Sequence, residues 1–337
     1  MATIKEIANE AGVSPSSVSI VLSGLSEERK ISIETQDKIM KAARKLGYAP
    51  NIMARRLRAG ASERKVISVY ETIDSRAIVM VRFTQGLYNA IKQLPDTPLC
   101  FVSQYSTSHL SAESSLFQVS TCNGAIICNT DMDDIQFLKA NFPVFPVVLF
   151  NTYCEGYSSV TIDDWALGMQ AAAIFHAQGC RTAAYLDASI AYNSSRLRYD
   201  GFCKGCQQYG IELLPIITKE MTMWGGYYGA ELLLEMPQQA DCLFCASEVQ
   251  ACGSLRKFRE AGIEIPGQLK IIAIGNGSME ISEFVTPTIS TFYIPLEEMA
   301  SKCLELLLQT IDGSNQTIQN VQLPFQYVPR GTCAGLS

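Results

Sequence analysis

Histidine is scarce in this chain of 337 residues, which contains only His109 and His176. Zinc sites and many acid–base catalytic sites depend on histidine, and the H-E-x-x-H motif is missing here. The G-x-S-x-G turn is also missing, and no G-x-G-x-x-G or G-x-x-x-x-G-K-[ST] motif follows an apolar strand. The sequence therefore predicts no catalytic residues, no cofactor and no metal, and an enzyme is the weakest of the possible interpretations.

Long hydrophobic runs are absent as well. No apolar stretch reaches the roughly 18 residues that cross a bilayer, and the first residues lack the basic and then apolar pattern of a signal peptide. With 47% hydrophobic and 18% charged residues, the composition is that of a globular protein, and the length suits two or three domains. We expect a cytoplasmic protein with no membrane partner.

Among the twelve cysteines, Cys203 and Cys206 have C-x-x-C spacing, and so do Cys242 and Cys245, which lie within an apolar run. The others are scattered through apolar segments, where a reduced cysteine behaves as a small buried hydrophobic residue. Because the chain has only two histidines and the second pair lies in an apolar run, a structural role is favoured over a metal or redox role for Cys203 and Cys206.

Positive charge is in deficit overall, with a formal net charge of −6, and this argues against nucleic-acid binding. The charge is unevenly distributed, however. Residues 1–60 contain ten lysines and arginines against six aspartates and glutamates, while the rest of the chain contains 17 against 27. A basic module on an acidic body is the asymmetry expected when one end of a protein meets phosphates.

The basic module begins with a helix-turn-helix pattern in Thr3–Leu22. Apolar residues at helical spacing, with Thr3 as N-cap and Glu6 as its capping-box partner, predict a first helix that Gly12 ends. Ser14 caps a second helix, whose N-terminal residues would meet base edges in the DNA major groove. A purely structural helical hairpin is the alternative. The outward face of the second helix carries Pro15, Ser16, Ser17, Ser19 and Ile20.

A third helix is predicted from Ser32 to Leu46, and Gly47 ends it. Pro50 then interrupts the chain, and the next eight residues have helical composition but are too few to form a stable helix alone. The segment is predicted to be helical only when it is docked, although an exposed basic linker is the other interpretation.

The run TIKEIANEAGVSPSSVSIVL closely resembles the N-terminus of lactose-repressor-type (LacI/GalR) bacterial transcription regulators. In that family the segment after the third helix is a hinge helix that orders on the operator and inserts a leucine into the minor groove. Leu57 matches this leucine, and Ala54 matches the small residue beside it; asparagine is usual where Ser23 stands. With the outward face, the candidate DNA-binding residues are Thr3, Ser14, Ser23, Ser32, Tyr48, Asn51, Ala54, Arg55, Leu57 and Arg58.

From Lys65 onward, apolar strands alternate with helical segments, a pattern typical of α/β structure with parallel, doubly wound sheets. The order suggests two consecutive βα series, and hence two lobes with a ligand cleft at the strand ends. One strand is predicted from Leu213 to Ile217. The C-terminal part is interpreted as a polar, Gln-rich segment and a short tail without a coiled coil, which favours a dimer over a tetramer.

The body also resembles the same family, more loosely. The segment Arg198–Phe202 matches R-x-x-G-F, whose arginine commonly meets the effector, and Glu248 and Asn276 stand where the family usually has aspartates. Asn151 is either a turn cap or a ligand contact, and Trp224 either stacks on a ligand ring or belongs to the core. The candidate effector-binding residues are Asn151, Arg198, Trp224, Glu248 and Asn276.

The resemblance implies a DNA-binding headpiece at residues 1–49, a hinge at 50–60, and a two-lobe, periplasmic-binding-protein-like domain for effector binding and dimerisation at 61–337. The predicted function is that of a homodimeric repressor that binds operator DNA. A small molecule, such as a sugar or sugar derivative, is expected to control this binding. A regulator whose cleft binds a partner protein or nothing stays open. A solute-binding protein is disfavoured by the basic headpiece and the lack of a signal peptide.

Overall fold

The computed structural model describes residues 3–22, 26, 29–46, 64–72, 77–94, 99–106, 110–117, 122–128, 130–188, 192–275, 277 and 279–333. The predicted hinge at residues 50–60 lies outside the described residues. The same holds for eight candidate site residues: Ser23, Tyr48, Asn51, Ala54, Arg55, Leu57, Arg58 and Asn276.

The headpiece contains the three predicted helices: α1 (Ile4–Ala11), α2 (Pro15–Leu22) and α3 (Ile33–Lys45). The predicted capping box of α1 is confirmed, because the Thr3 hydroxyl accepts the Glu6 amide and the Glu6 carboxylate accepts the Thr3 amide. Gly12 ends α1 with a φ of 64°, a left-handed conformation that glycine adopts at little cost.

A small apolar core joins the three helices of the headpiece. The ion pair between Lys45 and Glu10, at 2.6 Å, adds a polar link between α3 and α1 on the surface. The buried side chains come from each helix, as the helical spacing predicts: Ile7, Ala8, Val18, Val21, Ile39, Ala42 and Ala43.

The first lobe is built on a six-stranded, fully parallel sheet in the order β12-β5-β4-β3-β1-β2. Its strands are β1 (Lys65–Thr72), β2 (Leu99–Ser106), β3 (Gly124–Ile127), β4 (Val147–Phe150), β5 (Ser158–Thr161) and β12 (Asn320–Gln322). Its helices are α4 (Ala77–Lys92), α5 (Met132–Ala140) and α11 (Leu296–Ile311), with 3₁₀ turns at Leu110–Ala112 and Ser114–Phe117.

The second lobe is built on a sheet in the order β13-β11-β10-β9-β6-β7, and β8 pairs with β6. Only β13 runs antiparallel to its neighbour. The strands are β6 (Thr182–Ala188), β7 (Glu212–Leu213), β8 (Ile217–Lys219), β9 (Cys242–Cys245), β10 (Lys270–Gly275), β11 (Ser290–Tyr293) and β13 (Gln326–Val328). The helices are α6 (Asp164–Ala177), α7 (Asn193–Tyr209), α8 (Met223–Glu235), α9 (Glu248–Glu260) and α10 (Met279–Phe284).

The chain crosses between the lobes three times, after β5, after β11 and after β12. The prediction of two lobes is confirmed, but the prediction that they follow one another in the sequence is wrong. Helix α11 and strand β12 return to the first lobe after the second sheet is almost complete. The largest apolar cluster includes residues of both lobes, from Ile67 and Phe83 to Phe202 and Phe244.

The predicted strand from Leu213 to Ile217 is two short strands, β7 and β8, which both pair with β6. Pro215 stands between them, and proline cannot donate a hydrogen bond to a neighbouring strand. Helix α11 was not predicted from the sequence; it has 16 residues and buries a leucine-rich face.

Candidate functional site

The second helix of the headpiece presents the predicted outward face. The Ser14 hydroxyl accepts the Ser17 amide at 3.1 Å and thereby caps α2. Pro15 and Ser16 are exposed, while Ser17, Ser19 and Ile20 are half-buried. The exposed hydroxyl of Ser16 can donate to or accept from a base edge, but none of these side chains makes the bidentate contact that arginine or glutamine makes to a purine.

Three candidate residues of the headpiece lie at helix N-termini. Thr3 caps α1, Ser14 caps α2, and the Ser32 hydroxyl accepts the Thr35 amide at 3.3 Å at the start of α3. All three are exposed. The amide groups and the positive dipole end of a helix N-terminus favour anions, so each of these positions suits a phosphate of the DNA backbone.

In the body, the two lobes meet where their strands end. An isolated β-bridge joins Asp131, which precedes α5 of the first lobe, to Tyr192, which precedes α7 of the second lobe. Asn151 follows β4 with a φ of 56°, a conformation that asparagine tolerates better than most residues. Its Oδ1 atom is buried and has no hydrogen-bond partner among the described residues.

Arg198 lies close to the same junction and forms a buried ion pair. One terminal nitrogen of its guanidinium donates to Oδ1 of Asp164 at 2.5 Å, and both side chains are 5% exposed. Burial raises the pKa of the Asp164 carboxyl, while the charge and hydrogen bond of Arg198 act in the opposite direction. An arginine keeps its charge in proteins, so the pair is a carboxylate held against a guanidinium.

The close packing of α6 against α7 places this pair. Gly168 of α6 faces the carbonyl of Arg198, and Gly201 of α7 faces the carbonyl of Trp165. A Cβ atom at either glycine would overlap with the facing backbone. Because glycine allows the helices to approach this closely, Asp164 at the start of α6 reaches Arg198 in the first half of α7.

A cavity of about 350 Å³ adjoins the ion pair. It lies between the end of β4, the crossing after β5 and the start of α7. Its wall is rich in amide, hydroxyl and carboxylate groups, and Trp165 and Tyr153 add partly exposed rings; polar lining residues include Asn151, Thr152, Asp163, Asp164, Asn193 and Ser194. The structure thus brings Asn151 and the Asp164–Arg198 pair to one place.

The two remaining described effector candidates lie elsewhere on the second lobe. Glu248 is the first residue of α9 and is fully buried. Trp224 is 60% exposed, and its ring contacts are with Tyr227 and Tyr228 of its own helix and with Arg256 of α9. Neither residue lines the cavity beside Asn151 among its described walls.

Arg82 is a junction residue that the sequence analysis missed. From α4 of the first lobe it donates to the carbonyls of Gly275 and Ile294, and to both carboxylate oxygens of Glu297 at 2.6 and 2.7 Å. Its guanidinium also lies 5.1 Å from the centre of the Tyr293 ring. These partners are about 200 residues away in the sequence, so no local pattern indicated them.

Among the described residues, no group of three or more histidine, cysteine, aspartate or glutamate side chains could hold a metal ion. No described helix is both long enough and apolar enough to cross a membrane.

Two family models match the chain. The model of bacterial regulatory proteins of the lacI family matches residues 3–51, and a periplasmic binding protein-like domain matches residues 172–333. The chain belongs to the lacI family. Its helix-turn-helix pattern and its two-lobe body are the two parts of that family's architecture.

Curated relatives of this LacI-family chain match its sequence over nearly its whole length. The HTH-type transcriptional regulator AscG of Escherichia coli K12 is 26% identical over 327 residues, which cover 94% of each chain. The HTH-type transcriptional repressor CytR of the same strain is 23% identical over 342 residues, covering 99% of this chain and 97% of CytR.

Solved structures have the same fold. A LacI family transcription regulator from Clostridium acetobutylicum superposes with a TM-score of 0.73 and 27% identity, covering 79% of this chain and all of that one. The lac repressor dimer bound to operator and the anti-inducer ONPF gives 0.72 and 21%, covering 98% of both chains. A complex of the transcriptional regulator CelR with cellobiose gives 0.69 and 19%, covering 98% and 100%. The chain is a DNA-binding transcriptional regulator and not an enzyme.

Proposed function

We propose that this LacI-family chain is a homodimeric repressor whose affinity for operator DNA is set by a small polar effector, a sugar or sugar derivative, bound between the two lobes. The observation that carries the proposal is the polar junction of the lobes, where Asn151, the Asp164–Arg198 pair and a cavity of about 350 Å³ lie beside a bridge that joins both lobes. Ligands of open α/β sheets bind at such strand ends.

The DNA contacts are assigned to the headpiece, residues 1–49. Pro15, Ser16 and Ile20 are proposed to meet base edges, and the helix N-termini at Thr3, Ser14 and Ser32 to meet phosphates. Since serine and isoleucine discriminate bases weakly, specificity is expected to depend on thymine methyl groups and on the deformability of the operator centre.

The hinge, residues 50–60, is proposed to couple the body to the operator. Its segment is too short to hold a helix alone in water, so docking in the minor groove would order it. Leu57 is proposed to insert between base pairs, which costs a few kcal/mol of unstacking that the added contacts offset. Arg55 and Arg58 would contact phosphates.

The effector is proposed to act by shifting the relative arrangement of the lobes, and through them the hinge. Asn151 and Arg198 contribute polar contacts in this proposal, with Trp224, Glu248 and Asn276 as further candidates on the second lobe. Cellobiose in the similar regulator CelR supports a sugar as the class of ligand. We place the protein in the cytoplasm because its operator is there.

A thermal-shift screen of the full chain against sugars, nucleosides and small acids tests the effector. A ligand that raises the melting temperature should also change the dissociation constant for operator DNA, measured by fluorescence anisotropy. Arg198→Ala should abolish both effects. Specific operator binding that no ligand in the screen alters would instead support a regulator whose cleft binds a partner protein or nothing.

A further inference from the structure

The charge of Arg198 is already matched inside the chain. The Arg198 side chain is 5% exposed, and one terminal nitrogen of its guanidinium donates to the Asp164 carboxylate at 2.5 Å. The close packing of α6 on α7 at Gly168 and Gly201 brings together the two helices that carry these side chains. The pair is therefore part of the fold rather than an incidental surface contact.

Two further carboxylates act on the same pair. Burial acts to lower the pKa of Arg198. The carboxylates of Asp164 and of Asp187, which lies near the end of β6, act to raise it. Asp163 acts to raise the pKa of Asp164, beside the larger effect of burial. The carboxylates of Asp164 and Asp187 thus act on Arg198, and that of Asp163 acts on Asp164. None of the described residues that line the adjoining cavity is a lysine or an arginine.

We infer that this junction takes an uncharged or cationic polar ligand, such as a neutral or amino sugar, and excludes phosphorylated and carboxylated ones, because the Asp164 carboxylate already balances the charge of the Arg198 guanidinium that an anion would need. The inference rests on the proposed function and narrows its ligand class. An anion would have to displace a buried carboxylate from Arg198 or enter a region of net negative charge, and both are unfavourable.

The polar groups left over suit a neutral ligand. Oδ1 of Asn151 and Oγ1 of Thr152 belong to residues of the cavity wall, are buried and lack hydrogen-bond partners among the described residues, so one acceptor and one hydroxyl are left over there. Hydroxyl and amine groups can satisfy both kinds, and the partly exposed rings of Trp165 and Tyr153 offer apolar faces to a sugar ring.

The test uses inorganic phosphate and sulfate as probes of Arg198, since they require no knowledge of the natural ligand. The melting temperature of the full chain is measured in each salt against sodium chloride at equal ionic strength. Wild type should show no anion-specific rise. Asp164→Asn frees the guanidinium and should gain a dose-dependent rise of about 2–4 °C, the size expected from about 1 kcal/mol of ligand binding.

Two variants serve as controls. Asp163→Asn retains a residue that caps α6 and leaves Arg198 paired, so it should gain no such rise. The double change Asp164→Asn with Arg198→Gln should lose the rise again. Circular dichroism and operator binding establish that each variant is folded.

An Arg198-dependent rise of the wild type in phosphate or sulfate overturns the inference, and so does a folded Asp164→Asn variant that gains nothing. If Asp164→Asn does not fold, the wild type decides: stabilisation by glucose 6-phosphate beyond that by glucose and glucosamine contradicts the inference, and its absence supports it. A neutral ligand that binds without changing operator affinity contradicts the proposed function but leaves this inference intact.

Discussion

Two glycines determine where Arg198 lies. At Gly168 and Gly201 the backbones of α6 and α7 come so close that neither position has space for a Cβ atom. The distance between the side chains of Asp164 and Arg198 follows from this contact, because each side chain is positioned by its own helix.

We expect Gly201→Ala to lower the free energy of unfolding by about 1–3 kcal/mol, the usual cost of overpacking a tight interior. The added methyl group meets the backbone of Trp165, which cannot move without its helix. Urea unfolding measures the change. Gly267→Ala is the matched control, because its Cβ would have only ordinary contacts, the nearest at 3.5 Å, and it should change stability by less than about 0.5 kcal/mol.

A second prediction at the level of single residues concerns the buried thiol of Cys206. Burial raises the pKa of the Cys206 thiol to about 12, well above its ordinary value. In the unfolded chain the thiol ionises near its ordinary pKa, so the folded state binds more protons between about pH 9 and pH 12. Stability should therefore fall as the pH rises through this window, by up to about 1.4 kcal/mol per pH unit for this thiol.

Melting temperatures at pH 8, 9 and 10 test this pH dependence. Cys206→Ala should show a shallower decline than the wild type, whatever its stability at pH 8. Burial also raises the pKa of the half-buried neighbour Cys203. The pH dependence of the melting temperature of Cys203→Ala is therefore compared with that of Cys206→Ala. Equal slopes for the wild type and Cys206→Ala would contradict the assignment of a raised pKa to Cys206.

Among the elements, α4 links the lobes through Arg82, which donates to the carbonyls of Gly275 and Ile294 in the second lobe. Arg82 binds Glu297 with both carboxylate oxygens and also donates to the carbonyl that ends β10. The charge pair is largely buried, with side-chain exposures of 10% and 29%. It connects the first lobe to Gly275, the residue before the candidate effector contact Asn276.

Arg82→Gln should destabilise the body by about 2–3 kcal/mol, because it removes charged hydrogen bonds and leaves a partly buried carboxylate without its cation. It should also shift the effector concentration needed for half-maximal response in operator binding. Lys302→Gln breaks a more exposed pair with Glu305 and should cost under about 1 kcal/mol. If Arg82→Gln destabilised the body no more than Lys302→Gln does, the contacts of Arg82 would contribute little to stability.

The sequence predicted elements whose causes are local. Thr3 with Glu6, Gly12 and the apolar spacing of α1 to α3 all act within a few residues, and the headpiece was predicted correctly. Strands such as β9 were visible as buried apolar runs. The return of β12 to the first sheet, the partner of Arg198 and the contacts of Arg82 depend on residues far apart in the sequence, and no spacing rule reveals them. The split of the predicted strand at Pro215 was a local feature that the apolar pattern obscured.

For the whole molecule, the uneven charge predicts how operator binding depends on salt. If the basic hinge residues contact phosphates, Arg55→Ala or Arg58→Ala should weaken binding to all DNA sequences about equally. Each should also reduce the slope of log affinity against log salt concentration by about 1. Filter binding between 50 and 200 mM salt, a range over which such slopes are measurable, tests this. A loss confined to one operator would contradict a phosphate contact.

Leu57→Ala should reduce both operator affinity and operator bending, since an alanine is too short to unstack a base step. Gel mobility of circularly permuted operator fragments measures the bend. Unchanged affinity and bending would rule out the proposed insertion of Leu57.

The headpiece is proposed to bind DNA through the outward face of α2. The most direct measurement is in vitro selection of random DNA by the full chain, followed by the dissociation constant of the enriched site for the wild type and for Ser16→Glu. We expect a nearly palindromic site, bound at least tenfold more weakly by the variant because a carboxylate there repels the DNA. An enriched site that Ser16→Glu binds as tightly as the wild type, or no enrichment at all, would contradict it.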